Sequence, residues 1–158
     1  MILDNGEIVL KSIPLIELEE MLENDFKNVN YEILEEQKNA IIKKILKMKS
    51  VAKELHDWYT YWYIIKNNEI TGMIGFKGIN NQELEIGYGI SKRYEGKGYI
   101  TNAIKIIVDW AFSHGNIKTI KASKVLRNNH GSQRVLEKNG FKMIGKDSES
   151  FYYIRNRG

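Results

Sequence analysis

The chain has 158 residues, of which 42% are hydrophobic, a size that suits one hydrophobic core better than two, so we expect a single domain over residues 1–158. Its formal charge of +4 is mild and its basic residues are interleaved with 20 acidic ones, so composition alone does not indicate nucleic-acid binding. The absence of cysteine excludes disulfides, thiolate metal sites and an acetyl-cysteine intermediate. The apolar runs are short, and no charged region precedes an apolar block at the start. We therefore expect neither a membrane span nor a signal peptide, and a cytoplasmic protein.

The first third of the sequence is predicted to be mainly helical. After a short strand at residues 8–10, Ser12 is placed to cap a helix whose first turn tolerates Pro14. A longer helical pattern then runs from about Tyr31 to Leu55. We interpret its lysines as a solvated face, with a nucleic-acid role as the alternative; they are Lys43, Lys44, Lys47 and Lys53.

Three strands are predicted next, at residues 58–65, 70–77 and 84–90. Asn67-Asn68 is predicted to form a hairpin turn between the first two, and Asn80-Asn81 a turn before the third. Apolar residues on both faces of the first two suit the centre of a sheet.

A glycine-rich turn follows the third strand and opens directly into an amphipathic helix. Apolar residues recur from Ile100 to Ala111 at the i, i+3, i+4, i+7 spacing of one buried face. Gly96 and Gly98 let consecutive N–H groups of the turn and first helical turn converge on phosphate oxygens. The alternative is a strand-to-helix turn in which glycine only permits the geometry. No P-loop is present, and Thr101 stands where a dinucleotide fingerprint needs its third glycine.

The last third is predicted to form a strand, a helix and a hairpin. Gly115 is expected to end the preceding helix, and a strand is predicted over residues 118–125. Asn128 or Asn129 is placed to cap a helix that runs through Lys138 and ends at Gly140. Strands at residues 141–144 and 151–154 complete a terminal hairpin.

Two motifs resemble a known family. Residues 93–98, RYEGKG, resemble the R/Q-x-x-G-x-G/A pyrophosphate loop of the GNAT superfamily of N-acetyltransferases. Residues 129–141, NHGSQRVLEKNGF, resemble the N-x-x-S/A…E-K-x-G-F segment of the same family. With EIGY in the strand at residues 85–88, the sequence looks most like the RimJ/RimL-type branch, which contains ribosomal-protein N-terminal acetyltransferases and enzymes for small amines.

The resemblance implies an α/β (α+β) fold. Its sheet is mixed, mostly antiparallel and twisted, is flanked by helices, and has a central splay between two parallel strands. These are the strand of Glu85 and the strand near Val125, and the splay leaves main-chain groups of residues 86–90 free to bind the pantetheine arm.

The resemblance also implies acetyl-CoA as cosubstrate and no metal, and the three histidines show no metal-ligand spacing. The residues that it implies for binding acetyl-CoA are Ile90, Arg93, Tyr94, Glu95, Gly96, Lys97, Gly98, Tyr99, Thr101 and Asn129.

Glu85 is the candidate general base, because similar enzymes often place a glutamate just before this part of the strand; the alternative is an outward-facing strand carboxylate. The tyrosine that many family members use to protonate the thiolate is replaced by Leu136. Ser132 is the candidate in its place, although a serine in the first turn of a helix also suits a capping role. Tyr88 is a third candidate for this acid.

The implied function is transfer of an acetyl group from acetyl-CoA to a primary amine, by direct attack in a ternary complex. The amine would belong to a protein N-terminus or a small molecule, because no acceptor motif is present. We expect a monomer or homodimer without nucleic-acid or membrane partners. The alternative that Leu136 permits is a non-catalytic acetyl-CoA sensor or interaction module.

Overall fold

The computed structural model describes residues 1–158 as eight strands in one sheet with four α-helices packed against its two faces. The strands lie side by side in the order β1-β2-β3-β4-β5-β6-β8-β7. Their bounds are β1 Ile2–Asp4, β2 Val9–Ser12, β3 Tyr61–Lys66, β4 Glu69–Asn80, β5 Glu83–Ile90, β6 Thr119–Leu126, β7 Lys142–Lys146 and β8 Ser150–Asn156. The helices are α1 Leu15–Glu23, α2 Glu35–Lys49, α3 Tyr99–Phe112 and α4 His130–Lys138.

Every neighbouring pair of strands is antiparallel except β5 and β6. Their parallel pairing begins at Glu83 opposite Thr119 and ends at Glu85 opposite Lys121. Beyond that row β5 continues paired only with β4, and β6 only with β8, so the two strands enclose an open V. The predicted mixed sheet with a central splay is confirmed.

Successive side chains along each strand point to opposite faces of the sheet, and they pack into two separate hydrophobic cores. On β3, Trp62 and Ile64 pack into a core with α3 and α4, whereas Tyr61 and Tyr63 pack into a second core with α1 and α2. We call the two sides of the sheet the α3–α4 face and the α1–α2 face. On β5 the same alternation buries Leu84 and Ile86 on the α3–α4 face. Glu85 and Gly87 therefore lie on the α1–α2 face.

The start of the chain differs from the prediction. Ser12 ends β2 and accepts a hydrogen bond from the amino group of Met1, so it does not cap α1. Pro14 occupies the position before α1 with extended backbone (φ −64°, ψ 152°). The strand β1 was not predicted, because three residues ending in an aspartate give too short an alternation to be recognised.

The long predicted helix is divided. Residues 35–49 form α2, and a separate 3-10 helix spans Lys53–Trp58, so β3 begins at Tyr61 rather than Trp58. The interpretation of Lys44 as solvated is wrong, because its side chain is buried and its Nζ donates to the carbonyl oxygens of Phe76 at 2.8 Å and Tyr59 at 3.1 Å.

Several predicted turns and caps are confirmed, but the expected ending of α3 at Gly115 is wrong, because the helix ends at Phe112 with Ser113 as its C-cap. Asn67 and Asn68 form the β3–β4 turn with φ of +50° and +62°, the left-handed conformation that two-residue hairpins require. The β4–β5 turn lies one residue later than predicted, at Asn81 and Gln82. Gly140 follows α4 with a φ of +81°.

No helix of the structure is both long and apolar enough to span a membrane.

Candidate active site

The turn before α3 presents a row of unpaired main-chain donors. Gly96 and Gly98 have φ of +75° and +80°, and open space lies where a Cβ would project from either residue. The amides from Gly96 to Thr101 donate to no backbone or side-chain acceptor, and the first bond of the helix runs from the Asn102 amide to the Gly98 carbonyl. These donors lie at the positive end of α3, so the segment can hold an anion such as a pyrophosphate.

Two side chains of the same turn point away toward the β3–β4 hairpin. The Tyr94 hydroxyl donates to Glu69 Oε2 at 2.5 Å, and Arg93 Nη2 donates to the same oxygen at 3.3 Å. The Arg93 guanidinium also lies 4.6 Å from the centre of the Tyr94 ring. The hydrogen bond from Tyr94 and the charge of Arg93 hold the pKa of Glu69 below its usual range. These contacts anchor the turn and hold the Arg93 and Tyr94 side chains away from the row of free amides. The amides of Tyr94 and Glu95 are themselves bonded, to the carbonyl oxygens of Ser91 at 2.9 Å and Lys92 at 3.1 Å.

The open V adjoins this turn. From Ile86 to Ile90 the main chain of β5 has no partner strand on its β6 side. On the α1–α2 face, Leu34 and Gln37 cover Gly89, and Gln37 Nε2 donates to the Gly89 carbonyl at 3.2 Å. Nothing covers Gly87, where an added Cβ would meet no atom within 4 Å. The floor of the V is therefore bare backbone that is accessible to a ligand.

Glu85 lies at the closed end of the V and is held by two partners. Its Oε2 is 2.5 Å from Lys77 Nζ on β4, and its Oε1 accepts from Ser123 Oγ on β6 at 3.2 Å. Burial acts to raise the pKa of the Glu85 carboxyl, but Lys77, Ser123 and the charge of Lys121 outweigh it, so the pKa is lower than usual. Glu85 is therefore ionised at neutral pH.

Tyr88 and Ser132 meet on the opposite face of the sheet. Their hydroxyl oxygens lie 2.6 Å apart, and burial raises the pKa of Tyr88 to about 12. Asn129 caps α4 by accepting from the Ser132 amide at 3.1 Å, which fixes the first turn of that helix. Leu136, at the position of the usual family tyrosine, is fully buried in the core. Tyr88 and Ser132 thus supply hydroxyls beside the V, although the usual family tyrosine is absent.

The structure gathers the sequence-predicted residues into three groups. The candidate anion-binding residues lie at the start of α3, Ser132 and Asn129 lie at the start of α4, and Glu85 lies on β5. Glu85 and Ser132 face opposite sides of the sheet, with the V between them. Lys77 and Ser123, which hold Glu85, were missed, because the contacts depend on a β4 bulge and on the pairing of distant strands.

Comparison with known proteins places this geometry in a family. A family model for the acetyltransferase (GNAT) domain matches residues 17–142. The uncharacterized N-acetyltransferase YjdG of Bacillus subtilis is 37% identical over 97 residues, which are 59% of this chain and 57% of the relative. The putative ribosomal N-acetyltransferase YdaF of the same organism is 31% identical over 91 residues, which are 56% of this chain and 49% of the relative. The chain spans 33% to 57% of the length of the curated relatives that it matches.

A solved structure has the same fold. The ribosomal-protein alpha-N-acetyltransferase RimL in complex with coenzyme A superimposes with a TM-score of 0.72 at 17% identity, covering 99% of this chain and 98% of RimL. The likeness in fold extends to both ends of the chain, beyond the residues that the family model matches. The chain therefore belongs to the GNAT family of acetyltransferases.

Proposed function

We propose that this chain, as one domain over residues 1–158, transfers the acetyl group of acetyl-CoA to a primary amine of a protein N-terminus or a small molecule. The observation that carries the proposal is the row of unpaired amides from Gly96 to Thr101 beside the free edge of β5. An anion cradle next to an extended strip of unpaired backbone suits a ligand with a pyrophosphate and a long amide-containing arm. RimL, which shares the fold, was solved with coenzyme A.

The two faces of the sheet suit different steps of transfer. Acetyl-CoA supplies the acetyl thioester and leaves as coenzyme A. On the α1–α2 face, the Glu85 carboxylate is ionised and adjoins the open floor at Gly87, so it is placed to accept a proton from an ammonium group, directly or through water. An amine must lose this proton before it can attack in a ternary complex.

On the α3–α4 face, Tyr88 and Ser132 are placed to return a proton to the departing sulfur. The Tyr88 hydroxyl is protonated at neutral pH, as any tyrosine is, and burial raises its pKa further, to about 12. The Ser132 hydroxyl, 2.6 Å away, either orients that proton or relays it. This pair takes the place of the tyrosine that Leu136 replaces, which favours an enzyme over a non-catalytic sensor.

The test begins with calorimetric titration of acetyl-CoA, with coenzyme A and NAD as comparisons. We expect micromolar binding of acetyl-CoA, about −8 kcal/mol, and no binding of NAD. A panel of amines is then screened for thiol release. Binding without turnover against any amine would favour the sensor alternative, and no binding would contradict the proposal.

The role of Glu85 has its own test. Glu85→Gln keeps the size of the side chain but removes the base, so kcat/KM should fall across the pH range with little change in acetyl-CoA affinity. Near-normal kcat/KM for a good acceptor would show that Glu85 is not the base.

A further inference from the structure

A row of lysines crosses the α1–α2 face through Glu85. In the register of the sheet, Glu85 lies opposite Lys121, Lys121 opposite Ile154, and Ile154 opposite Lys142. Lys77 extends the row onto β4 through its 2.5 Å ion pair with Glu85. Because residues in register share a face of the sheet, three lysines and one carboxylate lie together on this surface.

The surroundings of the row are also basic. The Lys47 side chain extends from α2 to the sheet, where its Nζ donates to the Lys77 carbonyl at 3.3 Å. Glu83 is the other carboxylate that β5 places on this face. The lysines of this surface therefore outnumber its carboxylates, and Glu85 is already paired with Lys77. An anionic group that approached Glu85 along the sheet would meet unneutralised positive charge, mainly at Lys121 and Lys142.

Beyond Lys77, which Lys47 of α2 contacts, the helices of this face leave the row uncovered. The core that α1 and α2 form with the sheet draws its strand residues from β3 and β4, such as Tyr61, Tyr63 and Met73. From β4 to β7 the row crosses four strand spacings, or about 19 Å at about 4.8 Å per spacing. A single amino acid is much shorter, whereas an extended peptide of about six residues spans this distance.

We infer that the acceptor is the N-terminal segment of a protein or peptide that carries carboxylates among the residues after its amine. This inference depends on the proposed transferase function and narrows its acceptor class. The amine lies at Gly87 beside Glu85, and the following residues run across β6 and β8 with their carboxylates near Lys121 and Lys142. A single exposed ion pair contributes little to binding. Several together raise the rate at which an acidic peptide associates with the protein and disfavour binding of a basic peptide.

The experiment compares three hexapeptides that share a free N-terminal serine and differ at positions 2–5, with glutamate, glutamine or lysine. At low salt, kcat/KM for the glutamate peptide should exceed that for the glutamine peptide by about tenfold or more, and the lysine peptide should be poorest. The difference should shrink at about 0.5 M salt, where screening is strong. The affinity of each peptide for the protein with coenzyme A bound is measured in parallel. The three affinities then test the preference even if no product forms.

Charge-removing variants locate the effect. The double variant Lys121→Gln/Lys142→Gln should lose the preference for glutamate. The preference is scored as the ratio of kcat/KM for the glutamate and glutamine peptides, because removing the Lys121 charge also acts on Glu85 and changes both rates together. Lys105→Gln is the matched control, because Lys105 is an exposed lysine of α3 on the opposite face. It should keep the preference.

Four outcomes would overturn the inference. They are equal kcat/KM and equal binding for the three peptides, a preference for the lysine peptide, an unchanged preference in the double variant, and acetylation of free glutamate but not of the glutamate peptide. Tighter binding of a single-stranded oligonucleotide than of the glutamate peptide, lost in the same double variant, would assign the row to nucleic acid instead. Failure of the proposed function is distinguishable, because no amine would then release thiol whatever the peptide binding shows.

Discussion

The hydroxyl oxygen of Tyr88 lies 2.6 Å from Ser132 Oγ, and this contact joins β5 to the first turn of α4 beside the open V. Asn129 holds that turn in place through the Ser132 amide. The two hydroxyls come from segments 44 residues apart in the sequence. Their contact suggests which group protonates the departing sulfur, since Leu136 has no proton to give.

Tyr88→Phe should lower kcat by about a hundredfold with little change in the KM for acetyl-CoA, because it removes the proposed proton donor and keeps the ring. Ser132→Ala should cost less if serine only orients the tyrosine. Since the pKa of Tyr88 is about 12, the wild-type rate should show no loss from tyrosine ionisation below about pH 10. Steady-state kinetics over pH 6–10 provides the measurement.

Tyr153→Phe is the matched control. Tyr153 is a buried tyrosine of β8 on the same face, and its hydroxyl donates to Glu137 at 3.3 Å rather than to Ser132. It should retain near wild-type kcat. An equal loss in the two variants would mean that the Tyr88 hydroxyl matters only for packing.

Lys77→Met should raise the pKa of Glu85. Burial raises this pKa, and Lys77 supplies the main interaction that lowers it. The low-pH limb of kcat/KM, if Glu85 is the base, should move to higher pH by the same amount as the carboxyl titration measured by NMR. Lys121→Met should produce a smaller shift, because Lys121 acts on Glu85 through charge alone. A titration of Glu85 that does not change in Lys77→Met would contradict the assigned pairing.

The same pair contributes to stability in a defined pH range. The folded-state pKa of Glu85 is below its unfolded value, so its contribution is present above the unfolded pKa and is lost as pH falls through the folded pKa. Lys77→Met should therefore reduce the free energy of unfolding at pH 7 more than at the low-pH end of the titration. Denaturant unfolding at several pH values measures this.

Gly98→Glu should abolish measurable acetyl-CoA binding while the protein stays folded. A side chain at a φ of +80° strains the turn by about 1–2 kcal/mol, and a carboxylate beside the amides of Gly96 to Thr101 repels phosphate. Gly115→Glu, also in open space but after α3, is the control and should bind normally. Wild-type affinity in Gly98→Glu, measured by calorimetry, would show that the turn is not the anion site.

The parts of this protein that could be predicted are those that short-range patterns encode. The glycines before α3, the Asn67-Asn68 turn and the Asn129 cap each depend on a local backbone conformation that few residues adopt. The mixed, mostly antiparallel sheet and its splay were predicted only by way of the family resemblance, and the order of the strands was not predicted. Alternation along β5 was sufficient to separate the face of Glu85 from that of Tyr88.

The parts that could not be predicted depend on contacts between distant segments. Lys77 and Ser123 reach Glu85 because β4 and β6 flank β5. Lys44 lies on the helical stripe of Ile41, Ile45 and Met48, unlike its solvated neighbours Lys43 and Lys47, but a lysine is not expected to be buried unless its ammonium group has partners. Its burial follows from the carbonyl oxygens of Tyr59 and Phe76, which lie within hydrogen-bond distance of its ammonium group.

Lys44 gives a prediction on stability. Burial, with smaller effects from the charges of Lys77 and Lys47, lowers the pKa of Lys44 to about 7. Between about pH 7 and 10 the unfolded chain then binds a proton at this residue that the folded chain has largely released. The contribution of Lys44 to the free energy of unfolding should therefore rise with pH, by up to about 1.4 kcal/mol per pH unit.

Lys44→Met removes this contribution. The variant should therefore become less stable relative to wild type as pH rises, by about 2 kcal/mol in the free energy of unfolding between pH 7 and pH 9. At pH 7 itself the variant loses hydrogen bonds to two carbonyl oxygens but no longer buries an ammonium group. Lys43→Met is the control, because the Lys43 side chain is exposed and its charge is not among those that act on Lys44, so this variant should keep the pH dependence that Lys44 causes. Urea unfolding at pH 7, 8 and 9 provides the measurement. Parallel pH profiles for Lys44→Met and wild type would contradict a lowered pKa at Lys44.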